Sequence, residues 1–221
     1  YPYIPKRILD LIGRDVKLVF MMRDPGKRAF SEFQHNYRRG FIDEPDFKKS
    51  LETDIAYLEN GAERDYSDRH VSYIYRGLYS RHIDLYLEHF PKENMFFIRF
   101  EEDFIKDKEQ CLRALCEFLS IEPMKFEEGA GTKNQAYTPK FRWLNKLVHK
   151  KNPLRALLGA LVPSFTLRQK IRDLVAKLNA SNDKVDRLKE EDRIWLYENY
   201  FRQDIDALEK IIGKDLSLWK P

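Results

Sequence analysis

Arg23, Ser31 and His35 are the residues of this chain whose types and spacing can do chemistry together. Arg23 carries a planar fork that can grip a phosphate or sulfate through two parallel bonds. Ser31 offers a hydroxyl, and His35 a base that titrates near neutral pH. Lys27, Ser31 and His35 are spaced four apart, so on a helix they stack along one stripe. That stripe can bind an anion at one end and move a proton at the other. Residue by residue, an ordinary solvated helix face and a generic phosphate site stand as equal alternatives.

Two elements must position these side chains. Lys17 to Met22 reads as a short apolar strand of the kind buried in a parallel sheet. Asp24, Pro25 and Gly26 break it, and the following run turns helical. Pro25 suits a helix start, because its missing N–H is one that no helix pairs internally. A strand, a tight turn and a helix in that order aim free backbone N–H groups and a positive dipole end at one spot. Phe30, Phe33 and Tyr37 lie three and four apart and are predicted to face inward.

The stretch Arg23-Asp-Pro-Gly-Lys-Arg28-Ala-Phe-Ser31 resembles the 3′-phosphate-binding loop of sulfotransferases that use 3′-phosphoadenosine 5′-phosphosulfate (PAPS). Tyr75-Arg76-Gly77-Leu78-Tyr79 with the run to Phe90-Pro91, Phe97-Ile-Arg-Phe-Glu-Glu-Asp103 with Cys111 to Leu119, and the close Gly213-Lys-Asp-Leu-Ser-Leu-Trp219 resemble further segments of that family. The likeness is strongest to the carbohydrate and bacterial branch. It implies one α/β domain over residues 1–221, a three-layer α/β/α, P-loop-like sulfotransferase fold with a parallel sheet. It implies that Arg23 and Ser31 bind the 3′-phosphate. Arg76, and Lys133, Asn134 and Tyr137 in the loop from Glu128 to Pro139, are further cofactor candidates. For Arg76-Gly77 the alternative is plain packing; for the loop it is an ordinary surface turn.

His35 is the candidate catalytic base, since some glycan sulfotransferases carry a catalytic His four residues after the matching Ser. The alternative is a surface or substrate-positioning His. The family's 5′-phosphosulfate loop, of P-K-x-G-T-[TS] type, appears nowhere in the 221 residues. The resemblance therefore implies a domain without its N-terminal strand, loop and helix. The edge of the Lys17–Met22 strand is then expected to be unpaired, with Val19 and Met21 exposed. The chain by itself is expected to be inactive and poorly packed.

Composition sets further limits. With 43% hydrophobic and 34% charged residues, the chain is globular rather than disordered. A net charge of +4, with both signs interleaved, suits a small anionic cofactor and gives no footprint for nucleic acid. The five histidines are scattered without metal spacing. The acidic triplet Glu101-Glu102-Asp103 is read as a helix N-terminus favoured by the dipole rather than a metal site. Cys111 and Cys116 lie five apart on one predicted helix, pointing to different faces, so a disulfide is not expected. The apolar run Leu154–Val162 is too short to span a bilayer and is left between packing, an oligomer contact and a membrane surface.

Helices are predicted around Ile8–Ile12, Phe47–Leu58, Tyr79–Leu87 and Cys111–Leu119, with one long helix carrying Ile194, Tyr197, Phe201, Ile205, Leu208 and Ile212. A second buried strand is predicted over Met95–Phe100. The function implied by the resemblance is sulfuryl transfer from PAPS, without a metal, to a hydroxyl or amine of an acceptor, a carbohydrate by its branch. A non-catalytic nucleotide-binding remnant or interaction protein of the same fold is the alternative. A nucleotide kinase is disfavoured by the lack of a Walker A sequence. The resemblance implies a cytoplasmic location in a bacterium or the Golgi lumen for a eukaryotic glycan enzyme.

Overall fold

The computed structural model of the chain describes residues 2–60, 72–123, 140–141, 164–179 and 186–221. By backbone contacts the chain forms two compact units. The first holds residues 1–28, 76–131 and 190–221, the second residues 29–75 and 132–189. The boundary falls inside a helix, after Arg28.

The first unit is built on two parallel strands, β1 (Leu18–Met22) and β2 (Met95–Arg99), paired in register from Leu18 opposite Met95 to Met22 opposite Arg99. β1 is wholly apolar and β2 is apolar up to Arg99. Phe20 stacks on Phe97 at 5.5 Å and meets Tyr86 edge-on at 5.2 Å. Val19 and Met21 are 44% and 49% exposed, as expected, and β1 has no second strand partner among the described residues.

Helix α1 (Ile4–Ile12) ends at Gly13, whose φ of 92° lies in the left-handed region that glycine tolerates. Helices α4 (Tyr79–Leu87) and α5 (Lys108–Leu119) flank β2 in sequence. Cys111 and Cys116 on α5 are both free and buried. The single long C-terminal helix expected from periodicity is present, running from Glu190 to Ile212 with one local widening. α7 (Glu190–Leu196) and α8 (Arg202–Ile212) are joined by a wide π-type turn, Tyr197–Phe201. There the Asn199 amide donates to the Trp195 carbonyl at 2.8 Å, a side chain inserted into the helical ladder. The apolar spacing survives, and Leu196, Phe201, Ile205, Leu208 and Ile212 are all buried.

Helix α8 packs along α4. No side chain of the preceding loop caps α4; buried Asp204 of α8 does so. Its carboxylate accepts from the Ser80 hydroxyl at 2.5 Å and from the N–H groups of Ser80 and Arg81 at 3.3 and 3.4 Å. Burial raises the Asp204 carboxyl above the usual carboxylate range.

In the second unit, α2 (Pro25–Arg39, most of whose length lies here) and α3 (Phe47–Asn60) share an aromatic core. Phe33 lies 5.3 Å from Phe47 and 6.3 Å from Tyr73, and Phe30 meets Phe47 at 5.2 Å. The inward face predicted for α2 is this one. The buried carboxylate of Asp54 accepts from the N–H groups of Ile74 and Tyr75. Helix α6 (Phe165–Leu178) is followed by Asn179, which exchanges hydrogen bonds with the Phe141 backbone at 2.8 and 2.9 Å.

Candidate functional site

The turn between β1 and α2 is built by Asp24. This residue is 2% exposed, and its Oδ1 accepts from the Lys27 N–H at 3.0 Å while its carbonyl accepts from the Arg28 N–H at 2.9 Å. Asp24 is thus the N-cap of α2, with Pro25 in the first helical position. A cap of this type is worth about 1 kcal/mol. Of the backbone N–H groups that this turn gathers, that of Lys27 is spent on Asp24.

Arg23 leaves the end of β1 half-buried. Its Nη2 pairs with Glu101 Oε1 at 2.7 Å, with both side chains 31% exposed, and its guanidinium lies over the Phe100 ring at 5.5 Å. Its Nε is buried and has no hydrogen-bond partner. An orphaned buried donor costs about 1–3 kcal/mol, so this fork has capacity left for an anion. The contacts to Glu101 and Phe100 hold it in one orientation beforehand.

The acidic triplet stands in the first turn of a helical segment directly after β2, as the sequence suggested. It lies in a π-type turn, Phe100–Ile105, and each member has its own partner. Glu101 takes Arg23. Glu102 accepts from the buried Trp219 indole at 3.1 Å. Asp103 accepts from Arg99 Nη2 at 2.6 Å and Lys214 Nζ at 2.9 Å. Burial pushes the Asp103 carboxyl up, but these two cations and the Arg99 N–H outweigh it and hold it at about 2. Among the described residues no group of His, Cys, Asp and Glu could hold a metal ion.

Tyr79, at the start of α4, reaches the same turn. Its phenol feels the Arg23 backbone and the charges of Arg28, Arg23 and Asp24. Part of the residue remains in solvent, yet burial of the phenol dominates and pushes it up to about 12. The hydroxyl therefore keeps its proton at neutral pH. Gly77 shows why the Arg76-Gly77 pair is needed locally. A Cβ there would lie 2.8 Å from a ring carbon of Phe201 and 3.0 Å from Pro25 Cβ, so only glycine fits without movement. Arg76 beside it is exposed on a 3-10 turn.

Ser31 and His35 occupy the second and third turns of α2, one turn apart on the same stripe. Ser31 is exposed and His35 half-buried. Lys133, Asn134, Tyr137 and the run Leu154–Val162 lie outside the described residues. Sequence reasoning missed Arg193, whose Nε meets Asp24 Oδ2 at 2.9 Å, and the support given by Tyr79 and Glu101. The local signal for Asp24 was present, in Asp-Pro before a helical run. Its partner lies 169 residues on, beyond the reach of any spacing rule.

Comparison with known proteins adds independent findings. Residues 4–145 match the family model described as a sulfotransferase domain. Over 121 residues the chain is 31% identical to the heparan sulfate glucosamine 3-O-sulfotransferases 3B1 and 3A1 of Mus musculus, a match covering 53% of this chain and 27% of each relative. The crystal structure of a sulfotransferase from Alicyclobacillus acidocaldarius matches 99% of this chain and 63% of its own, with a TM-score of 0.61 at 23% identity. The chain thus spans about a quarter of the mouse relatives and under two thirds of the solved structure.

Proposed function

The chain belongs to the sulfotransferase domain family, and from that premise we propose that it serves sulfuryl transfer from PAPS to a hydroxyl or amine of a carbohydrate acceptor. The observation that carries the reading is Arg23: a half-buried guanidinium, oriented by Glu101 and Phe100, with a buried Nε unspent. This donor set fits the 3′-phosphate of the nucleotide. The names of the mouse relatives, which specify a heparan sulfate glucosamine, support a carbohydrate acceptor.

When bound, PAPS supplies the sulfuryl group and the phosphate that departs from it. The residues of this chain then have separate tasks. Arg23 and Ser31 hold the 3′-phosphate by charge-assisted and hydroxyl hydrogen bonds. Arg76 lines the cofactor site, and Lys133, Asn134 and Tyr137 cover the adenine and the 3′-phosphate. His35 accepts the proton of the acceptor as it attacks, in its neutral form. None of these tasks requires a metal.

The test is transfer of labelled sulfate from PAPS to heparan-type oligosaccharides and a panel of other glycans. It uses the 221-residue chain and the same chain fused to a strand–loop–helix of P-K-x-G-T type. The expected result is label on a glycan with the fused protein and little or none without the added loop. A fused protein that folds and binds 3′-phosphoadenosine 5′-phosphate, yet labels no acceptor, contradicts the proposal.

A further inference from the structure

The residue that fixes the β1–α2 turn comes from far along the chain. Arg193, on α7, has a side chain only 13% exposed. All three nitrogens of its guanidinium are engaged. Nε donates to Asp24 Oδ2 at 2.9 Å, and Nη1 pairs with Glu190 at 2.9 Å. Nη2 donates to the carbonyls of Leu218 and Lys220 at 3.0 and 3.4 Å.

This geometry leaves Asp24 no freedom. One carboxylate oxygen caps α2 through the Lys27 N–H, and the other is held by Arg193. With both oxygens fixed, so is the peptide that carries Arg23 into the helix. The same C-terminal segment supports the turn a second time. Trp219 is buried, packs on Tyr79 at 6.0 Å and donates at 3.1 Å to Glu102, the neighbour of the Glu101 that pairs with Arg23. A buried arginine with all three nitrogens engaged, by one carboxylate, a neighbour on its own helix and two chain-end carbonyls, is pre-organised and loses little further entropy in holding them.

We propose that Arg193 is a positioning residue for the nucleotide's 3′-phosphate, acting through Asp24 on the direction of Arg23. The inference rests on the reading of Arg23 as the 3′-phosphate ligand. Arg193 itself touches no nucleotide. Its loss frees the Asp24 carboxylate to turn and loosens the start of α2, so the Arg23 fork is no longer presented in one place. A misplacement of about 1 Å at such a site costs on the order of a hundredfold.

The test compares wild type, Arg193→Gln, Arg193→Lys, Asp24→Asn and the double variant Arg193→Gln/Asp24→Asn. Calorimetry reads the affinity for 3′-phosphoadenosine 5′-phosphate, competition against it reads AMP, and thermal unfolding reports folding. Arg193→Gln is expected to lower the preference for the 3′-phosphorylated nucleotide about tenfold or more. The affinity for AMP should stay within about threefold, because AMP lacks the group that Arg23 grips. Arg193→Lys keeps one donor for Asp24 and should recover part of the preference. The double variant should lose no more than the worse single one, as expected for residues acting through one contact.

A folded Arg193→Gln with wild-type preference overturns the inference. So does a loss of AMP affinity equal to the loss for the 3′-phosphorylated nucleotide, which marks a general structural role. If Arg193→Gln does not fold, Arg193→Lys and Asp24→Asn decide by the same ratio. A wild type without any preference instead overturns the reading of Arg23 itself, and the inference with it.

Discussion

Arg23→Ala is expected to weaken binding of 3′-phosphoadenosine 5′-phosphate by roughly ten- to a hundredfold while leaving AMP nearly unaffected. A hydrogen bond to a charged group contributes about 1.5–3 kcal/mol, and each 1.4 kcal/mol is a factor of ten. The substitution has a second consequence. Glu101, which meets Arg23 at 2.7 Å, loses its ion-pair partner, and its Oε2 is already buried without a hydrogen bond. Some loss of stability therefore accompanies the loss of affinity. The double variant Arg23→Ala/Glu101→Gln separates the two, because it removes the orphaned charge and should regain stability without regaining affinity. Arg23→Lys retains the charge but not the fork, and should fall between wild type and alanine. Unchanged nucleotide affinity in folded Arg23→Ala would move the 3′-phosphate site elsewhere.

His35→Ala carries the largest expected effect on turnover. With the P-K-x-G-T-type segment supplied, the substitution should lower kcat about 10²–10⁴-fold, the usual contribution of a positioned general base. Affinity for 3′-phosphoadenosine 5′-phosphate should be kept, since His35 stands one helical turn beyond Ser31 on α2. Loss of kcat and kcat/KM together, with binding retained, marks an interaction made in the transition state. A rise in KM at normal kcat would make His35 an acceptor-positioning residue, and near-normal kinetics a surface one.

Much of this was legible in the chain, for identifiable reasons. β1 and β2 announced themselves because short apolar runs bounded by turn residues have few other uses. Helix α2 was readable from Pro25 at its start and from Phe30, Phe33 and Tyr37: Phe30 and Phe33 meet Phe47, Phe33 also meets Tyr73, and Tyr37 stacks on Phe33. The close Gly213–Trp219 could be matched to a family but not explained. Its role appears only in three dimensions, where Lys214 fastens Asp103 and the Phe97 carbonyl and Trp219 reaches Glu102.

What stayed hidden depends on partners distant in sequence. The acidic triplet is at a helix N-terminus as read, but local charge could not show that its members answer to Arg23, Trp219, Arg99 and Lys214. Asp24 looked like a turn breaker and is a buried cap held by Arg193. The π-type turn between α7 and α8 left the apolar period unbroken, so nothing in the pattern revealed it. In each case periodicity located the element, and long-range hydrogen bonds decided what its polar residues do.

The decisive measurement is a calorimetric titration of the wild-type chain with 3′-phosphoadenosine 5′-phosphate and, by competition, with AMP. The two ligands differ by the single phosphate assigned to Arg23 and Ser31. The expected result is at least about tenfold tighter binding of the 3′-phosphorylated nucleotide, from one or more charge-assisted bonds. Equal affinity for the two would show that Arg23, despite its oriented fork and unspent Nε, does not read the 3′-phosphate.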